Sequence, residues 1–266
     1  MPTLDELVDL VDRPGADRDA DHDILRAAPQ LSLDEALRVQ LGAKRRREAA
    51  GDLIAGHQAS FTSAAAQKFA PTMPPPMVGT LLRSIIRNDG DTIELDGDPA
   101  YIESEIGVLL KRDLVGPHVT TVQAMLAIEA FFPAIEVAPL RPGVLEGKYS
   151  NQHMIAVQKA TGGYVFVGSK LTSPQDFDAR LEGVVVSING QVRGSAAGAE
   201  AMGNPVAVLA HVANRLAAAG EHLRAGQIVI TGSLPAPQRL VTGDREACAE
   251  FTRLGRVMVR IAAAQA

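Results

Sequence analysis

The stretch Tyr101-Ile102-Glu103-Ser104-Glu105-Ile106-Gly107 decides how the chain is read. Apolar and polar residues alternate within it, and the surrounding run Ala100 to Leu110 predicts one long β-strand. On a strand, alternate residues share a face, so Glu103 and Glu105 project together while Ile102, Ile106 and Val108 turn to the opposite side. Two carboxylates this close repel and raise each other's pKa unless a cation or base lies between them. A hard divalent ion such as Mg²⁺ relieves that repulsion and leaves coordination positions for water and substrate. An amphipathic strand with a solvated acidic face also fits these seven residues.

A third carboxylate lies downstream in Phe132-Pro133-Ala134-Ile135-Glu136-Val137, where apolar neighbours make an unpaired charge costly. A shared metal is one partner that would satisfy Glu136. Between the two acidic stretches, Thr120 and Gln123 form a capping box that opens a helix, and Pro133 is expected to end it before a short strand over 134–138. Gly163 to Val167 is apolar and β-branched. Val184 to Arg193 predicts a hairpin, because Asn189-Gly190 suits a type I′ turn. Asn204-Pro205 starts a helix that runs to about Gly220, and Gln227 to Thr231 and Arg256 to Ile261 are the last strands.

Upstream, a short helix is expected over residues 3–11, followed by an irregular link. Ser32 and Glu35 then make a second capping box, with Leu33, Leu37 and Leu41 on one helical face and Gly51 as a stop. Pro71, Pro74, Pro75 and Pro76 predict a rigid extended loop. Many short strands with a few separated helices give an α+β fold, a mixed and partly closed β-roll with flanking helices. Residues 1–51 form a helical N-terminal region and residues 52–266 the main domain.

The bulk composition excludes several classes of function. The chain has 266 residues, 46% hydrophobic and 21% charged, with a net charge of -5, which gives no reason to expect nucleic acid as a partner. The basic run Lys44 to Arg47 reads as a solvated helix face. The single cysteine, Cys248, excludes an intrachain disulfide and reads as a packing residue. An acidic start and the lack of a long apolar run point to a cytoplasmic protein without a membrane span.

Taken together, the motifs resemble the 2-keto-4-pentenoate (vinylpyruvate) hydratase and 4-oxalocrotonate decarboxylase branch of the fumarylacetoacetate hydrolase superfamily. The E-x-E pair is followed by Arg112-Asp113-Leu114 and then by Pro133-Ala134-Ile135-Glu136 at the family's spacing. Gly203-Asn204-Pro205, Leu223 to Ser233 and Leu254 to Val259 match its later motifs, and the resemblance spans residues 52–260. It implies that Glu103, Glu105 and Glu136 bind Mg²⁺ or Mn²⁺, which chelates a 2-oxo acid and stabilises its enolate. Arg141 matches a family arginine, which would either add a hydrogen-bonded charge to the site or neutralise the carboxylates. Ser60, Thr62, Met77, Thr231 and Ser233 fall in the substrate-binding motifs, although a tight glycine turn also explains Thr231 and Ser233. The resemblance also implies a homo-oligomer, with a complex between related pathway enzymes as an extension.

The chain departs from the family pattern at three places. Gln58 stands where the family has an active-site lysine and cannot transfer a proton at neutral pH. The adjacent His57 faces the other way on a strand and reads as structural. Met77 replaces the aspartate of the hydratase form and looks more like the decarboxylase form, as does Leu114 to Thr120. Gln158 and Lys159 replace an Asp-Asn pair, and Lys159 would either restore the positive charge lost at Gln58 or stand as a surface lysine. Three functions follow: a metal-dependent lyase that adds or removes water, a metal-dependent decarboxylase of a 4-oxalocrotonate-like acid, or a non-catalytic binding subunit.

Overall fold

The protein is described from a computed structural model covering residues 2–12, 20–69, 76–95, 100–139, 151–157, 163–175 and 177–262. Three helices come first: α1 (Leu4–Asp12), α2 (Ala20–Ala27) and α3 (Leu33–Ala49). β1 (Ile54–Ser60), α4 (Ala64–Phe69), β2 (Met77–Leu82), β3 (Ile86–Asn88) and β4 (Thr92–Ile93) follow. The long pair β5 (Ala100–Leu110) and β6 (Ile128–Pro139) flanks α5 (Thr121–Ala127). Then come α6 (Asn151–Val157), β7 (Tyr164–Val167), β8 (Gly183–Ile188), β9 (Gln191–Ala197) and α7 (Pro205–Ala218). β10 (Ile228–Ile230), β11 (Gln238–Arg239), β12 (Glu246–Phe251) and β13 (Gly255–Ile261) complete the order.

The strands build two sheets. One runs β2-β1-β10-β5-β6-β7-β3, with β11 also pairing with β5, and the other runs β4-β13-β12-β8-β9. The mixture of parallel and antiparallel pairs with peripheral helices is the α+β roll expected from the strand pattern. One face of the larger sheet, carrying Ile102, Ile106, Val108 and Ile135, joins the main core, which also takes in the buried side chains of α3 and α7. β13 packs across β6 and β7. No described helix is long and apolar enough to cross a membrane.

Local signals explain most boundaries. Both capping boxes are formed: Ser32 and Thr120 accept from the N–H groups of Glu35 and Gln123, whose side chains accept from the cap residues in return. Asn204 caps α7 and Pro205 occupies its first turn. Asn189 and Gly190 both have positive φ, as the type I′ turn between β8 and β9 requires.

Several expectations are corrected. α5 stops at Ala127, well before Pro133, and that proline lies inside β6. The backbone of Phe131 exchanges hydrogen bonds with Thr172, and the Pro133 carbonyl accepts from Gly168 on that same side. The missing Pro133 N–H therefore faces the gap between the Thr172 bridge and β7, not the β5 ladder, so the strand tolerates it. The link before α3 contains α2. The basic run is not simply solvated: Lys44 is buried, Arg45 pairs with Glu221 at 2.9 Å, Arg46 with Asp9 at 2.6 Å and Arg47 with Asp12 at 3.1 Å. These pairs tie α3 to α1 and to the turn after α7. Pro71, Pro74 and Pro75 lie outside the described residues.

Candidate metal and substrate site

β5 and β6 pair in an antiparallel register that places Glu103 directly opposite Glu136 and Glu105 opposite Ala134. Directly opposed residues share a face, so the three acidic side chains converge, and one carboxylate oxygen from each lies within 4.8 Å of the others. Glu105 and Glu136 are buried. Beneath them the same face is apolar: Ala134, Val165, Ile230, Leu81 and Phe132 form a separate cluster.

Burial and mutual repulsion set the electrostatics. Glu103 is pushed up to about 8, first by burial and then by the charge of Glu136. Burial also drives Glu105 well above the usual carboxylate range, with Glu136 and Glu103 adding to it and a bond from the Gly232 N–H working against it. Glu136 is raised to about 7 by burial, offset in part by a hydrogen bond from Gln58. Three oxygen donors in this state suit a hard divalent cation, whose charge reverses the cause of all three shifts.

The closeness of Gln58 to Glu136 also reports the shape of the sheet. Gln58 lies beside Ile230 of β10, which lies beside Gly107 of β5, so three strand spacings separate it from β6. A flat sheet would put those strands roughly 14 Å apart. Contact between Gln58 and Glu136 therefore requires the sheet to curl, with the carboxylates on its concave side.

Ser60 and Met77 are opposite each other where β1 meets β2, next to the pair Gln58 and Gly79. Thr62, Thr231 and Ser233 stand apart from this group. Thr62 donates to the Thr231 carbonyl at 2.7 Å, Thr231 to the Ile106 carbonyl at 3.0 Å and Ser233 to the Pro235 carbonyl at 2.8 Å. Their hydroxyl protons are thus directed to main-chain carbonyls, which for Thr231 and Ser233 accords with the tight glycine turn that also explains them. What they support is Gly232, at φ 91°, where a Cβ would stand 2.2 Å from the Thr62 hydroxyl. Sequence reasoning placed importance on the side chains of Thr231 and Ser233; the chemistry at Glu105 comes from the N–H of the glycine between them. The sequence offered only the glycine itself, within Thr231-Gly232-Ser233, as a sign of a tight turn.

His57 turns to the other face of β1, where its Nδ1 lies 3.3 Å from the Thr80 hydroxyl. Burial pushes its pKa down to about 4, so it stays neutral and does not replace a lysine. Arg141 and Lys159 lie outside the described residues. Among the described residues, the groups that shift the three carboxylates are one another, Gln58 and the Gly232 N–H.

Comparison with known proteins gives this geometry a context. A family model described as fumarylacetoacetate (FAA) hydrolase C-terminal matches residues 50–262. A 2-hydroxyhexa-2,4-dienoate hydratase of Comamonas testosteroni is 30% identical over 220 residues, 82% of this chain and 82% of that protein. A 4-oxalocrotonate decarboxylase of Pseudomonas putida is 30% identical over 246 residues, 90% of this chain and 89% of that protein. The solved structure of 4-oxalocrotonate decarboxylase from Pseudomonas putida G7, complexed with magnesium and adipate, superposes with a TM-score of 0.85 at 27% identity, covering 98% of this chain and 99% of that one.

Proposed function

The chain belongs to the fumarylacetoacetate hydrolase family, and from that premise we propose that it is a metal-dependent lyase acting on a 2-oxo or 2-hydroxydienoic acid by adding or removing water. The observation that carries this reading is the convergence of three carboxylates from two paired strands onto one point of a concave sheet. Left without a cation, such a cluster bears both burial and repulsion; a divalent ion offsets both. Glu103, Glu105 and Glu136 would hold it, and we assign Mg²⁺ or Mn²⁺, the ions that favour a few carboxylates and keep positions for water and substrate. When bound, the ion supplies Lewis-acid stabilisation of the negative charge that develops on the keto oxygen as a 2-oxo acid enolises.

The chain's own residues do the rest. Gly232 fixes the Glu105 carboxylate through its N–H, and the Gln58 amide, which reaches the Ser60 hydroxyl at 3.5 Å, lies close enough to Glu136 to lower its pKa. The apolar floor of Ala134, Val165 and Ile230 keeps water from the underside of the cluster. Gln58 donates a hydrogen bond but holds no exchangeable acid at neutral pH. Within this reading the positive charge that binds a substrate carboxylate or moves a proton is assigned to Arg141 and Lys159. Self-association, which the resemblance implies, belongs to the same reading and is checked by sedimentation.

Decarboxylation of a 4-oxalocrotonate-like acid is a second reading, favoured by neutral Gln58, by apolar Met77 at the rim and by the near full-length match to a decarboxylase. Loss of CO₂ needs the electron sink and less proton shuttling than hydration. The test has two stages. Calorimetric Mg²⁺ titration should show binding to the wild type and none to Glu105→Ala; no binding to the wild type overturns both readings. Assays with 2-hydroxydienoates and 4-oxalocrotonate-like acids, with CO₂ detection, then separate hydration from decarboxylation. Metal binding without turnover of either substrate class would leave a non-catalytic binding subunit.

A further inference from the structure

The concave face that carries the carboxylates continues past them. Gly107 lets the Phe132 ring lie flat across β5, since a Cβ there would stand 2.1 Å from the ring. The ring, with Leu81, Val165 and Ile230, fills the roll beneath the carboxylates. Beyond it, Leu109 lies four residues from Glu105, about 13 Å along the same face of β5. There the roll opens again into a groove of about 840 Å³, walled by Ile86, Leu109, Val167 and Ile228. That volume lies in the range of roughly 300–1,000 Å³ typical of small-molecule sites.

The polar groups at its rim are specific. Arg224 is already bonded to Glu221 at 2.7 Å. Arg83 lines the groove and has no acidic partner among the described residues. Gln227 is only 7% exposed; its carbonyl oxygen accepts from the Arg224 N–H at 2.9 Å, while its amide nitrogen has no partner among the described residues. Glu48, the acidic residue of the lining, accepts from the Ile54 N–H at 3.3 Å. An apolar trough with an uncommitted guanidinium and an amide donor at its rim complements a carboxylate attached to an apolar body.

We propose that this groove is a second ligand site, for a small aliphatic or aromatic monocarboxylate, separated from the carboxylate cluster by the Phe132 wall. The proposal is independent of the lyase reading. Its test is calorimetric titration of the Mg²⁺-saturated full chain with hexanoate and, separately, with hexanol. Hexanoate should bind about tenfold or more tightly than hexanol. Arg83→Ala, a change at an exposed position that leaves Mg²⁺ binding intact, should abolish that preference, and metal-free Glu105→Ala should bind hexanoate as the Mg²⁺-saturated wild type does. Equal affinity for acid and alcohol, no binding of either, or loss of hexanoate binding in Glu105→Ala would each overturn the proposal. So would sedimentation showing an oligomer that Leu171→Asp, at the groove edge, dissociates while hexanoate fails to bind, because a second copy would then be the occupant.

Discussion

Gln58 and Gly232 govern the carboxylates from outside the acidic motif, and each supports a sharp expectation. An ammonium in place of the Gln58 amide would sit against Glu136 and compete with a divalent cation for it. Unit charges 4 Å apart interact by about 4 kcal/mol at an effective dielectric of about 20. Gln58→Lys should therefore weaken Mg²⁺ binding about tenfold or more, read by calorimetry; unchanged affinity would mean that position 58 does not face the ion. Gly232→Ala forces a Cβ into the Thr62 hydroxyl and the Ala59 carbonyl at positive φ. It should cost about 1–3 kcal/mol of stability and lower Mg²⁺ affinity too, because Glu105 loses its oriented donor; thermal unfolding in EDTA and in Mg²⁺ separates the two effects. The pairing of Glu103 with Glu105 was legible in the sequence because a strand repeats every two residues. The Gly232 bond was not, because it joins positions 127 residues apart.

Among the elements, local chemistry and tertiary context divide the credit. The capping boxes at Ser32 and Thr120, the Asn189-Gly190 turn and the Asn204-Pro205 helix start were readable because each is closed by bonds within a few residues. Pro133 misled because a proline stops a helix by local rules, yet a strand accepts it wherever its nitrogen faces no ladder partner. The end of α5 was set instead by strand-favouring Ile128, Phe131 and Phe132, which the long pairing with β5 draws into strand. α2 and the two-residue strands β4 and β11 carry too little periodicity to be read. The β5–β6 ladder also supports a packing prediction. Gly107→Ala drives a methyl into the Phe132 ring and should cost about 1–3 kcal/mol, a fall in Tm of roughly 2–10 °C by calorimetry. No change in Tm would show that the ring has room to move aside.

For the whole molecule, the carboxylate cluster links stability to pH and to metal. An unfolded glutamate titrates near about 4.3, whereas Glu136 is raised to about 7, Glu103 to about 8 and Glu105 well above the usual range. Between those values the metal-free folded state holds protons that the unfolded chain has released, so stability falls as pH rises. The stabilisation is fully present below the unfolded value and is lost as pH climbs through the folded ones. His57, lowered to about 4, acts in the opposite sense below about pH 6.5, which leaves the window from about pH 6.5 to about 8.5 to the carboxylates. In EDTA, Tm should fall steadily across that window. A divalent ion competes with the same protons, so its stabilisation should grow with pH, reaching about 2.7 kcal/mol at a hundredfold excess over Kd, or roughly 5–10 °C. Glu103→Gln should flatten the metal-free slope and shrink the Mg²⁺ response together, since one buried cluster produces both. Scanning fluorimetry over this pH range, with EDTA and with Mg²⁺, makes the comparison. A metal-free Tm that climbs between about pH 6.5 and 8.5 would show that the carboxylates are already ionised and paired, and would remove the electrostatic case for a cation at their centre.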